Sequence, residues 1–270
     1  AGDEAGNMTV AEATYQNEQP LKEKVRQSLE KTRQYYLQHP PSYRGSEQPS
    51  SSSDFWTFLA MWGTGLHLKN DVNWKNGSPW DEGTYWHSGR DRLTTGTEYA
   101  GSIIGSILLE QDPRSFGAQY KLNLIEGLVK RQQADGSFSN NYLEHLWSML
   151  ALDVVGADYD RQGAVRHLLT HQTDEGFFPW GLDGTGWSLI VLSNHLDVPE
   201  AKQAMDKTVR ALHGNLRNDG ELDGQTEGEN ANSMAAVISG LVAAGENLLS
   251  EKWTKNNNNL VEVFLDRYQL

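Results

Sequence analysis

Gln132-Gln-Ala-Asp-Gly-Ser-Phe138 and Gln172-Thr-Asp-Glu-Gly-Phe-Phe178 share one pattern, Q-x-x-x-G-x-F, and each stands between an amphipathic stretch and a more uniformly apolar one. Glycine at such a point supplies the left-handed backbone that ends a helix. The polar residues beside it can accept from free N–H groups at the start of the next helix, and the aromatic ring can pack across the bend. Gln132, Gly136, Phe138 and Gln172, Gly176, Phe178 therefore mark corners between helices, and a repeated corner implies a repeated helix pair.

Working outward, apolar inner helices are expected to start near Asp54, Gly96, Asn141, Thr185 and Asn230, a period of about 44 residues. Amphipathic outer helices alternate with them at Leu21–Gln38, Ser115–Gln133, Arg161–His171, Pro199–Leu216 and Leu260–Gln269. Asn218-Asp219-Gly220 reads as a third corner, and Asn70 to Gly96, rich in Trp, Gly and Pro, as a long structured loop. Two alternating helix types imply two layers, so the expected fold is all-α, an α/α toroid. Gly136, as a left-handed corner, is expected to tolerate valine less well than Gly184.

Residues 1–19 are expected to be a flexible segment and 20–270 one domain. The start, Ala-Gly-Asp-Glu, fits a mature protein after signal removal or an engineered start. Leu260–Gln269 repeats the pattern of Leu124–Gln133, after which an inner helix follows, so a sixth inner helix is expected to be missing. The expectation is an incomplete α6/α6 barrel whose gap is filled by a surface partner, self-association or a downstream segment.

A net charge of −13 opposes nucleic acid or an anionic membrane as partner, and no apolar run is long enough for a membrane span. Zero cysteines exclude disulfides, thiolate nucleophiles and cysteine-ligated zinc.

With these repeats the chain resembles the prenyltransferase/squalene-cyclase-like (terpenoid cyclase) α/α-toroid superfamily, whose repeats have the form Q-x-x-x-G-x-W/F. At the third corner Leu216, Gly220 and Leu222 keep only the glycine. Thr97–Ala100, Leu146–Asp153 and Ala235–Ile238 are similar to a branch of secreted Gram-positive surface proteins with an intrinsic-factor/transcobalamin-like barrel, although that branch often has Glu and Gln where this chain has Asn232 and Ala236. The resemblance implies an extracellular or cell-surface location and a corrinoid or other bulky ligand.

The superfamily's chemistries lack their motifs. D-x-D-D and D-D-x-x-D do not occur, and neither the zinc cysteine nor the thioester sequence is present. Asp158-Tyr-Asp160 reads as helix capping, His167 and His171 as packing rather than a metal pair, and Asp219, Glu221, Asp223, Glu227 and Glu229 as a solvated acidic loop rather than a calcium site. No metal and no cofactor is expected beyond a corrinoid ligand.

Aromatic residues of inner helices and adjoining loops, Trp56, Trp86, Trp147, Trp180 and Trp187, suit sugar rings or flat macrocycles at a toroid mouth. Trp56, Trp86, Trp180 and Trp187, with His87, Tyr142, His145, Glu229 and Asn230, form the expected ligand-binding set. The reading is a non-catalytic module binding a bulky small molecule or a surface partner. The alternative is an enzyme of the terpenoid-cyclase, prenyltransferase or polysaccharide-lyase type, with His145, Tyr142 and Glu144 supplying acid and base in the lyase version.

Overall fold

A computed structural model of the chain describes residues 10–40, 54–88, 93–223 and 230–268. Apolar helices are α2 (Asp54–Gly63), α4 (Gly96–Leu108), α6 (Tyr142–Val154), α8 (Gly181–Ser193) and α10 (Ala231–Ala243). Between them come α1 (Val10–Gln38), the single turn α3 (Tyr85–Ser88), α5 (Leu124–Val129), α7 (Arg161–Leu169), α9 (Pro199–Gly214) and α11 (Leu260–Tyr268). Among the described residues the only sheet is a hairpin of β1 (Thr254–Lys255) and β2 (Asn258–Asn259), so the protein is all-α. No described helix is long and apolar enough to cross a membrane.

Most starts are written in side chains. Thr95 and Glu98 form a capping box on α4, and Asn123, Asn141, Asp160 and Asn230 each accept from free N–H groups of α5, α6, α7 and α10. Helix α2 packs on α4, α4 on α6, α6 on α8 and α8 on α10, while α5, α7, α9 and α11 lie against α4, α6, α8 and α10 in turn. Packing is closest between α8 and α10. A Cβ on Gly186 would lie 2.3 Å from the Ala236 carbonyl carbon, and one on Gly240 would lie 2.4 Å from the Gly186 oxygen.

The three corners share one backbone design. Gly136, Gly176 and Gly220 have φ of +85°, +105° and +83°. In each, the residue three before the glycine accepts its N–H and donates to the carbonyl one residue beyond it, as in Gln133 to Ser137, Thr173 to Phe177 and Arg217 to Glu221 at 2.8, 2.9 and 2.8 Å. Gln132 then bonds the next outer helix: Nε2 donates to Gly136 O and Asp160 O at 3.0 and 2.9 Å, and Oε1 accepts from Asp160 N at 2.8 Å. Gln172 Nε2 reaches Ala204 O and Thr208 Oγ1 of α9 at 3.0 and 2.9 Å. Phe138 and Phe178 are buried. At the third corner, which has no glutamine, Arg267 of α11 grips Asp219 and Glu221, and Tyr268 donates to Glu221.

The structure departs from the sequence reading in four places. Helix α1 begins at Val10, ahead of the expected Leu21, and carries Pro20 inside it. The outer helix expected over Ser115–Gln133 is cut to α5, because Gly117 and Lys121 take left-handed φ of +75° and +52° and Phe116 bridges Leu122 instead. Helix α8 starts at Gly181, ahead of Thr185: its glycines serve close packing as well as bending. A Cβ on Gly184 would stand 1.8 Å from the Pro179 oxygen, so Gly184 is not the tolerant position expected. The hairpin after α10 is a short loop pairing; Asn256 and Asn257, with φ of +49° and +64°, make its turn, and Asn256 Nδ2 donates to Asn218 O at the third corner.

Candidate functional site

Three tryptophans from three apolar helices meet at one point. Trp56 of α2 lies edge-on to Trp147 of α6 with ring centroids 5.2 Å apart, and 5.6 Å from Trp187 of α8; Trp147 and Trp187 are 5.0 Å apart. Such edge and tilted geometries are those aromatic rings prefer, each adding about 0.5–1.5 kcal/mol beyond area burial. The cluster is nonetheless not sealed, since Trp56 is 41% exposed. Phe55 stacks beneath Trp56 at 4.7 Å and fixes its plane.

Beside the cluster a cleft of about 640 Å³ opens between α2, α8 and α10, walled by Trp56 and Trp187. Ala60, Ala235 and Ala236 leave the space, while Asp183, Asn232 and Ser239 supply polar groups. Asp183 sits in the first turn of α8, where the helix macrodipole favours a carboxylate, and its Oδ2 accepts from Ser233 Oγ at 2.8 Å. The cleft thus offers a broad π surface, one carboxylate, one amide and one hydroxyl. That arrangement suits a flat or ring-bearing molecule with hydrogen-bond donors at its edge.

Of the residues singled out in the sequence, Trp56 and Trp187 line this cleft and Trp147 backs it. Trp86 is fully buried against Phe58 and Phe116, and a Cβ on Gly105 would strike its ring at 2.1 Å, so it fills the core. His87 is half-buried in α3, where its carbonyl accepts from Ala118 N. Trp180 is 68% exposed at φ +70° ahead of α8 and does not line the cleft. Asn230 caps α10, and Glu229 lies outside the described residues.

Tyr142 and His145 are interior. The Tyr142 hydroxyl donates to Gly184 O at 2.7 Å and meets Ser188 Oγ at 2.8 Å; burial raises its pKa well beyond the usual phenol range. His145 Nδ1 accepts from Phe138 N–H at 3.1 Å, so its proton is on Nε2 and is donated to Ala164 O at 3.0 Å. Burial, reinforced by the neighbouring His167 and His171, lowers its pKa to about 4. With both nitrogens engaged, it ties the first corner to α7 and has no free valence for acid–base work.

His145, His167 and His171 meet edge-on in series at centroid distances of 4.7 and 5.6 Å. Among the described residues no group of three or more His, Cys, Asp or Glu is placed to hold a metal. Asp160 caps α7, and Asp219 and Glu221 of the acidic loop are taken by Arg217 and Arg267; Glu227 and Glu229 lie outside the described residues.

Asp183 and Ser239 escaped the sequence reading, although the signal was present. Asp183 and Trp187 are one turn apart on α8, and Asn232, Ala235, Ala236 and Ser239 follow one face of α10. Comparison with protein-family models, curated proteins and solved structures returned no match.

Proposed function

We propose that this chain is an extracellular or cell-surface, non-catalytic module of the α/α-toroid kind, holding a bulky ring-bearing small molecule in the cleft between α2, α8 and α10. The observation that carries this reading is the meeting of Trp56, Trp147 and Trp187 beside a cleft edged by Asp183 and Asn232. The toroid reading rests on the successive contacts of α2, α4, α6, α8 and α10, together with the reach of Trp56, on the first of these helices, to Trp187 on the fourth. A series of helices that returns on itself in this way is what a curved inner layer requires.

A corrinoid is the ligand class the sequence resemblance suggests, and its chemistry suits the cleft. The macrocycle is broad enough to lie on Trp56 and Trp187, and its amide side chains can donate to the Asp183 carboxylate and the Asn232 carbonyl oxygen. Against the polysaccharide-lyase alternative, two of its three acid–base candidates, Tyr142 and His145, are committed to interior hydrogen bonds. The test is titration with cobinamide and cobalamin, followed by the corrin absorbance band. Saturable binding that Trp187→Ala abolishes supports the reading. Unchanged spectra at millimolar protein exclude the corrinoid class, and failure of flat aromatic ligands to quench tryptophan emission would remove the cleft as a binding site.

A further inference from the structure

A second cleft, of about 370 Å³, lies where the C-terminal ends of α2 and α4 converge. Its walls are Trp62, 59% exposed, Ile107, 37% exposed, and Trp80 from the long loop, with Glu110 and His67 at its edge. Its volume falls at the small end of ligand pockets, roughly 300–1,000 Å³. Three independent features of it favour a positive charge.

The first is electrostatic: α2 and α4 both end at this cleft, and a helix C-terminus carries up to about half a negative charge. The second is a carboxylate held at a conformational cost. Glu110 has φ +56° just past α4, a backbone state in which glycine or asparagine is the ordinary residue. Its side chain meets His67 Nε2 at 3.1 Å, and His67 Nδ1 accepts from Asn70 N–H at 3.3 Å. With Nδ1 accepting, Nε2 is free to donate its proton to the Glu110 carboxylate. The third is the face of Trp80, over which the Lys69 ammonium already lies at 5.9 Å from the ring centroid.

We propose that this cleft is a binding site for a primary alkylammonium, its charge between Glu110 and the Trp80 face and its apolar stem against Trp62 and Ile107. Lys69 is an internal stand-in, since its side chain ends in a butylammonium. The ligand takes that place, and the chain's net charge of −13 favours approach of a cation. The site is separate from the cleft of Trp56 and Trp187, shares no lining residue with it, and stands whether or not that cleft binds a ring.

The test is a calorimetric or NMR titration of the whole chain with n-butylammonium, with 1-butanol as uncharged counterpart and N-acetyl-lysinamide as a side-chain mimic. Binding of n-butylammonium about tenfold tighter than 1-butanol is expected, weakened about tenfold by Trp80→Ala. Lys69→Ala should strengthen it about threefold by removing the internal competitor. Glu110→Gly is the decisive variant: it relieves the left-handed backbone, so thermal stability holds or rises while ammonium binding falls about tenfold. Tighter binding of N-acetyl-lysinamide assigns the ammonium to a protein side chain, weaker binding to a free amine. Equal binding of 1-butanol, or a Glu110→Gly protein that folds and binds n-butylammonium undiminished, would overturn the proposal.

Discussion

Acidification should weaken this protein well before its carboxylates titrate, and His145 is the reason. Its ring is fully buried and hydrogen-bonded as the neutral Nε2–H form; protonation would place a second donor on Nδ1, facing the Phe138 N–H. The folded pKa is about 4, against about 6.5 in an unfolded chain. Between those values the unfolded state binds more protons than the native state. The stabilisation is therefore complete above about pH 6.5 and is lost as pH falls toward about 4. At about 1.4 kcal/mol per pH unit, the whole interval is worth about 3 kcal/mol, a large share of an ordinary folding free energy. His171, whose pKa is lowered by burial and then by His167, acts in the same direction. Urea denaturation followed by circular dichroism at pH 7.5, 6.5, 5.5 and 4.5 measures the effect. His145→Asn keeps an acceptor near Phe138 N and leaves Ala164 O without its donor, so it should cost about 1–3 kcal/mol at pH 7.5 and remove most of the slope. A wild-type free energy flat across that range, or a variant with the full slope, would refute the reasoning.

Other variants probe the corners. Gln132→Ala removes two hydrogen bonds between the first corner and Asp160 and one within the corner to Gly136 O, and should lower stability by about 1–3 kcal/mol in thermal melts, with α7 losing amide-exchange protection first. Gly136→Val should prevent folding or cost several times more than Gly214→Val. The former combines φ +85° with a Cβ 2.2 Å from the Gly163 carbonyl carbon, while nothing lies within 4 Å of a Cβ on Gly214; equal melting temperatures would contradict the corner geometry. Arg267→Met should loosen α11 from the third corner, a small loss in thermal melts because the arginine is 44% exposed, and the loss should shrink in high salt.

The alternation of apolar and amphipathic stretches was enough to find the helices, because burial on all sides and burial on one face leave different residue patterns. The glycine of the third corner was legible for the same reason, even without its glutamine. What takes the place of that glutamine was not, since Arg267 lies far along the chain from Asp219 and Glu221 and no local pattern links them. Glycine was the most ambiguous letter. Gly136 bends the backbone at φ +85°, whereas Gly186 lies inside a helix and clears room for α10. Gly181 and Gly184 stand at the start of α8, and the sequence reading placed that start four residues too late, just past them at Thr185.

The candidate site was half legible. Trp56, Trp147 and Trp187 stood out by composition, yet so did Trp86, which packs under Gly105, and Trp180, which stands clear of the cleft. Only the facing of helices separates them. Asp183 and Ser239 become informative once α8 and α10 are known to face α2 across one space.

The central claim is tested most directly by labelling the indole nitrogens with ¹⁵N and titrating the protein with cobinamide, with assignments made from single Trp→Phe variants. The account predicts saturable shifts or broadening at Trp56, Trp147 and Trp187 with one shared dissociation constant, while the indoles of Trp62, Trp80 and Trp253 stay in place. Shifts confined to the latter group, or an unperturbed spectrum at saturating ligand, would contradict it.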